Sequence, residues 1–147
     1  MPIRGGWYIK GRVQITEYRG VISDDEFLKA ADHPDLIATI EASPAPLVHF
    51  IFNADAVTRM PSLRVGGKPA IASHPKVGWI VVVRRTQNPV FKMIASILGQ
   101  MTKLRVRFVN SEAEAIEFLH YVDSTLPELP DRDEIEWFNY VNWEVGS

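Results

Sequence analysis

The sequence predicts an α/β domain whose sheet has four to five mostly parallel strands, with helices packed on it. Two runs, 47–52 and 77–83, are almost entirely apolar and rich in β-branched residues, as in central strands covered on both faces. From residue 47 onward the order is strand, connection, strand, helix, strand, helix. This order indicates right-handed crossovers between parallel strands.

The N-terminal part of the chain predicts a strand pair followed by two short helices. The strands are 7–10 and 12–18, and the second alternates apolar with polar residues, as in a strand with one wet face. Ser23 and Glu26 have the spacing of a capping box, so a helix begins there. A second short helix is predicted at about 35–41, and the proline-containing stretch "SPAP" ends it.

The second half predicts two further helices around an edge strand. The stretch "NPVFKMIASILGQM" starts with a favourable N-cap and keeps its apolar residues on one side, so a helix is predicted at 88–101. The strand 104–109 carries two arginines on one face, which places it near an edge. Ser111 begins another capping box, and the helix that follows is predicted at 112–124.

The domain is predicted to span 1–126, with 127–147 as an acidic and aromatic C-terminal tail. The tail is punctuated by prolines, yet it carries large apolar side chains that a solvated tail would not need. One interpretation is a flap packed on its own domain, and the other is a contact with a partner, including a second copy of the chain. We expect a homodimer. The proposed tail contacts are Trp137, Phe138 and Trp143.

Composition limits the classes of partner. The chain has 147 residues and a net charge of −2, so neither nucleic acid nor an anionic membrane surface is an expected partner. The absence of cysteine excludes disulfides, thiolate zinc sites and cysteine nucleophiles. No apolar run is long enough to span a bilayer, and the N-terminus does not resemble a signal peptide. We therefore expect a cytoplasmic protein.

The sequence contains no catalytic motif, and we expect no catalytic residue, bound metal or cofactor. The four histidines lack the spacing of a metal pair, and the Gly-Gly-Lys at 66–68 lacks the phosphate-loop frame. His49, inside an apolar strand, is expected to be a hydrogen-bonded core residue. An enzyme would become the better hypothesis if a pocket held His74, Asp55 and Arg59 together.

The stretch "FNADAVTRMPS" resembles the signature of the anti-sigma-factor antagonist (STAS) domains. Asn53 falls at the acidic position of that signature, Val57 and Met60 at its hydrophobic positions, and Ser62 at its regulatory serine. Residues 76–119 are similar to the second half of SpoIIAA-like domains, with a strand, an amphipathic helix, a strand and a helix. The sequence departs from the family at Pro61, which replaces an acidic residue.

The resemblance implies a non-catalytic regulatory or protein-interaction module. It implies possible phosphorylation of Ser62. The expected interaction surface comprises Asp55, Arg59, Met60 and Lys68. The alternative is a small protein that binds a lipophilic ligand under the apolar helix 88–101, although an ordinary core helix has the same pattern. The residues expected to line that pocket are Trp79, Phe91 and Ile94.

Overall fold

The structure is a computed structural model that describes residues 3–59, 74–85 and 105–141, the last four by their backbone alone. The strands are β1 (Ile3–Ile9), β2 (Val13–Val21), β3 (Val48–Arg59), β4 (Val77–Val83), β5 (Arg105–Val109) and β6 (Phe138–Val141). The helices are α1 (Asp24–Ala31), α2 (Pro34–Ala42) and α3 (Glu112–Val122), followed by a 3₁₀ turn at Arg132–Glu134. The predicted helix 88–101, with its core residue Leu98, lies outside the described residues.

The described strands form one sheet in the order β5-β4-β3-β2-β1-β6. The pairs β2–β3, β3–β4 and β4–β5 are parallel, whereas β1 pairs antiparallel with β2 and with β6. The predicted class, an α/β domain with a mostly parallel sheet and helices packed on it, is confirmed. One strand beyond the predicted number comes from the tail, because β6 adds to the outer edge of β1.

Each face of the sheet packs against its own set of apolar side chains. Phe50 and Val48 of β3 belong to the core that includes α1 and α2. Ile51, the residue after Phe50, belongs to the opposite core, together with Leu119 of α3. Alternate residues of β3 therefore serve opposite faces, as the period of a strand requires. In the described part of the chain, no helix is long and apolar enough to cross a membrane.

Strand β2 differs from its prediction, because its polar residues are not on a wet face. Gln14 and Thr16 are buried, and the Thr16 hydroxyl donates to Gln14 Oε1 at 2.8 Å. Glu17 is also buried, with 9% of its surface exposed. The alternation of apolar and polar residues indicated a strand, but it could not show that the face of Gln14 and Thr16, which Tyr18 shares, would pack against the core that includes α1 and α2.

Strand β3 is longer than predicted. The sequence predicted a strand at 47–52 with a connection after it, taken as a loop, whereas the strand continues to Arg59 and keeps its parallel pairing with β2, from Val13↔His49 to Val21↔Arg59. Asp55 and Arg59 therefore belong to a strand and not to a loop. Pairing with β2 supplies partners for the backbone of this polar segment, which explains why the composition misled the prediction.

His49 lies in the middle of the domain with 1% of its surface exposed, as the prediction of a core histidine required. The backbone N–H of Trp79 donates to His49 Nδ1 at 3.0 Å, so the ring proton is on Nε2, which donates to Asp123 Oδ2 at 2.9 Å. A Cβ on Gly78 would lie 2.4 Å from Nδ1, so only glycine leaves room for the ring. The ring therefore connects β3, β4 and the end of α3.

Burial lowers the pKa of His49 below its ordinary value of 6.5, although the Asp123 carboxylate opposes the shift. A hydrogen bond from Thr125 is the largest cause that lowers the pKa of Asp123 to about 2, and the bond from His49 adds to it. Near neutral pH the pair is thus a neutral imidazole that donates to a charged carboxylate.

We expect the free energy of unfolding to fall as the pH drops below 6.5, because the unfolded chain then binds a proton that folded His49 excludes. Above that pH both states are neutral at this residue and the contribution is complete. His49→Gln should be less stable by about 1–3 kcal/mol at pH ~8 but should lose this pH dependence. Urea unfolding of both proteins from about pH 8 to about pH 5 checks the difference. Equal slopes against pH would contradict it.

Candidate functional site

The candidate site is a cleft of about 680 Å³ at the edge of the sheet where parallel strands β4 and β5 end, and Arg85 and Ser111, which follow those strands, are among its lining residues. We call it the carboxyl-edge cleft. In open α/β sheets this edge is where ligands usually bind. One wall is residues 127–134, which we call the strap. The polar groups that line the cleft include Tyr8, Asn53, Asp55, Arg85, Glu112 and Arg132.

Strand β3 supplies the rim of the cleft through Asn53 and Asp55. The Asp55 N–H donates to Asn53 Oδ1 at 3.0 Å, and the Arg85 N–H donates to Asp55 Oδ1 at 2.6 Å. The Arg85 guanidinium lies 3.6 Å from the other carboxylate oxygen, with 82% of its side chain exposed. Asp55 is therefore held by backbone contacts, whereas the arginine beside it is open to a partner.

Glu112, the first residue of α3, collects hydrogen bonds from three parts of the fold. Asn53 Nδ2 donates to its Oε2 at 2.7 Å, and the Tyr8 hydroxyl donates to its Oε1 at 3.1 Å. Arg132 Nη1 contacts both oxygens, at 2.9 and 3.1 Å. A carboxylate is also favoured here because the N-terminal end of a helix carries partial positive charge.

The Glu17 carboxylate is joined to Glu112 through Arg132, and it lies between two guanidinium groups. Arg4 of β1 donates to Glu17 Oε2 through Nη2 at 3.1 Å and through Nε at 3.3 Å. Arg132 Nη2 contacts Glu17 Oε1. Arg132 therefore bridges Glu17 and Glu112, and it links the strap to the centre of the sheet.

Burial and the neighbouring Glu112 carboxylate raise the pKa of Tyr8 to about 12, so the phenol keeps its proton and acts as a donor. Burial lowers the pKa of Arg4, although the charge of Glu112 opposes the shift, and an arginine stays charged at neutral pH. The carboxylates of Glu17 and Glu112 are therefore balanced by the guanidinium groups of Arg4 and Arg132.

Two buried apolar residues, Leu126 and Ile135, anchor the ends of the strap. Ile135 lies against Gly6, where an added Cβ would come within 2.3 Å of its Cγ2 atom. The His120 ring connects α3 to the strap, with Nε2 at 2.9 Å from the Pro127 carbonyl oxygen. The strap is thus fixed at its ends, while most of its middle is exposed.

Beyond the strap, the tail follows the outer edge of β1, one of the positions that the sequence left open. Gly5 pairs with Phe138 and Ile3 with Val141. The Arg4 guanidinium lies 3.9 Å from the Trp137 ring centroid, which places this expected tail contact on the domain itself. The side chain of Phe138 and the whole of Trp143 lie outside the described residues, and the homodimer stays a prediction.

The structure brings only part of the predicted interaction surface to the cleft. Asp55 lines it, whereas Arg59 is further along β3 and is not among its described lining residues. Met60, Ser62 and Lys68 lie outside the described residues.

His74 lies at the opposite end of the sheet from Asp55. It precedes Val77, which pairs with Val48 at the start of β3. There His74 Nδ1 accepts the Lys76 N–H at 3.1 Å. The grouping of His74 with Asp55 and Arg59 that would have favoured an enzyme is therefore not formed.

The predicted lipophilic pocket is described only at Trp79. Its ring packs edge to face on Phe118 of α3, with the centroids 4.9 Å apart. The other two residues, Phe91 and Ile94, lie outside the described part of the chain, so the pocket stays a prediction.

Sequence reasoning missed Tyr8, Glu17, Glu112 and Arg132. A charged residue inside a strand pattern, as at Glu17, was the one available signal, because a buried carboxylate needs a partner. The residues that meet it are distant in sequence, and no local pattern pairs them.

A second hollow, of about 670 Å³, lies between α2 and the tail. Trp7, Leu36 and Trp137 are among its lining residues, together with several exposed charges. It lies away from the ends of the parallel strands and away from the Glu112 carboxylate, so the carboxyl-edge cleft is the better candidate.

Among the described residues, no group of three or more histidine, aspartate or glutamate side chains is arranged to hold a metal ion. The chain matches no protein-family model, and no curated protein or solved structure is significantly similar to it.

The contact between the tail and Gly6 leads to a double-mutant prediction. Gly6→Ala should lower the free energy of unfolding by about 1–3 kcal/mol, because its Cβ forces Ile135 away. In an Ile135→Ala background, the same change should cost less, because the obstructing methyl group is gone. Urea unfolding of the wild type and the three variants measures the coupling. Additive effects would show that the tail does not pack on Gly6.

Proposed function

We propose that the chain is a non-catalytic regulatory module that binds a protein partner at the carboxyl-edge cleft. The resemblance to anti-sigma-factor antagonist domains supports a regulatory role. The observation that carries the proposal is the rim formed by Asp55 and Arg85, which presents an exposed guanidinium beside a carboxylate held by the backbone. The Asp55 carboxylate is already held in place before a partner arrives, and such preorganisation lowers the cost of binding.

The contacts inside the cleft support binding rather than catalysis. A general base needs an available lone pair and a pKa near the working pH. Glu112 accepts hydrogen bonds from Asn53, Tyr8 and Arg132, and the Glu17 carboxylate is shared between two arginines. Tyr8, with a pKa of about 12, keeps its proton. These groups hold one another in place instead of being poised to transfer a proton.

Ser62 is part of the proposal because it follows Arg59, the last residue of β3, by only a few positions. A phosphate on Ser62 would add a charge of about −1.5 to −2 in the sequence that follows Asp55. The repulsion and hydration that this charge brings would then oppose docking of an apolar surface of the partner there. We also propose a homodimer, in which a second copy of the chain is a partner.

The role of the rim can be tested by charge reversal. Arg85→Glu should reduce capture of the partner about tenfold or more, because it places a like charge beside Asp55. Lys29→Glu, an equal change on the exposed side of α1, is the matched control and should bind as the wild type does. Affinity capture from native lysate with all three proteins, read by quantitative mass spectrometry, gives the result. The proposal fails if the three proteins capture the same set.

The switch can be tested with the partner so identified. Ser62→Asp should weaken binding modestly, since Pro61 replaces the acidic residue that normally flanks the serine, whereas Ser62→Ala should bind normally. Titration calorimetry with the purified partner measures both. Equal affinities for the two variants would exclude a charge-dependent switch at this position.

A further inference from the structure

The Arg132 guanidinium lies between two carboxylates, as a bound cation would in a binding site. Its two terminal nitrogens contact different carboxylates, Nη2 that of Glu17 and Nη1 that of Glu112. The two glutamates come from β2 and α3, so the fold and not the local sequence sets their separation. Each is also held by donors other than Arg132.

The geometry selects a guanidinium rather than an ammonium group. A guanidinium is planar and offers five N–H donors in a fixed fork, so it can span two carboxylates at once. An ammonium group is a compact point charge on a flexible stem. The bridging role of Arg132 therefore uses the feature that lysine lacks.

Both carboxylates have hydrogen bonds that do not involve Arg132. Glu17 keeps its two hydrogen bonds from Arg4, and Glu112 keeps those from Asn53 and Tyr8. The Arg132 side chain is itself 41% exposed, and it belongs to the strap, whose middle has few buried groups. Loss of its contacts would thus open a formed site instead of collapsing one.

We propose that Glu17 and Glu112 form a guanidinium-binding site, that Arg132 fills it within the chain, and that an arginine of the protein partner takes its place. This inference rests on the proposed function, because it names the chemistry of the partner at the same cleft. Glu128 and Asp131, exposed acidic residues that line the cleft, favour a partner segment that carries positive charge.

The internal arginine makes the site selective. A tethered group competes at an effective concentration of about a millimolar or more, so a lone arginine side chain binds the wild type weakly. A partner displaces Arg132 only if it adds contacts elsewhere, and the exposed guanidinium of Arg85 and the acidic strap offer them. Arg132 of the strap therefore competes with isolated cations and weakens their binding to the site.

The test uses ethylguanidinium as the probe and the full chain as the protein. Arg132→Ala should bind the probe saturably and gain thermal stability from it, and the wild type should bind it about tenfold more weakly because Arg132 competes. Ethylammonium should bind Arg132→Ala more weakly than ethylguanidinium does. Arg105→Ala, which removes an exposed arginine of β5 that is not among the lining residues of the cleft, should respond as the wild type does.

The double variant Arg132→Ala with Glu112→Gln should lose the binding. If Arg132→Ala does not fold, Arg132→Gln replaces it, and the affinities are read by calorimetry. The proposal is overturned if the Arg132 variant binds no better than the wild type, or if Glu112→Gln leaves binding unchanged. In that case the proposed function still stands if capture of the partner depends on Arg85. If the probe binds but no partner is captured, the guanidinium-binding site stands and the proposed function is wrong.

Discussion

The buried carboxylate of Glu17 is the constraint on which the rest of the carboxyl edge depends. A charge inside the sheet is costly unless it is paired and hydrogen-bonded. Arg4 on the neighbouring strand supplies one partner, and Arg132 of the strap supplies the other. The segment that supplies this second partner lies far along the chain, and its return to the sheet also brings β6 to the edge of β1.

Helix α3 is tied to β3 at both of its ends. Glu112 meets Asn53 at 2.7 Å, and Asp123, just past the last turn, meets His49 at 2.9 Å. Eleven helical residues rise about 16 Å and four strand residues about 13 Å, so the two spans match closely enough for both bonds to form. The helix runs antiparallel to the strand, as the crossover between parallel strands requires, and polar contacts fix its register on an apolar core.

The two polar ties have different consequences. In the His49–Asp123 pair the imidazole is buried and held in one tautomer, and the pair contributes to stability. The Glu112 network opens onto the cleft and includes a side chain, Arg132, that is partly exposed. The same helix is thereby anchored firmly at one end and joined to an exchangeable contact at the other. Regions that bind partners are commonly the less stable parts of a fold, and the strap has that character.

The sequence by itself determined the class of the fold, because the periodicity of the apolar residues and the capping boxes at Ser23 and Ser111 are local signals. The first capping box is complete in the structure, and α3 begins with the expected cap. Only the tertiary structure decided that β3 extends through its polar residues and that Glu17 lies buried. It also decided that Arg132 joins Glu17 to Glu112. Glu17 precedes Arg132 by 115 residues and Glu112 precedes it by 20. Local patterns report the faces of single elements, whereas a charge network depends on which elements become neighbours, and packing of the whole chain settles that.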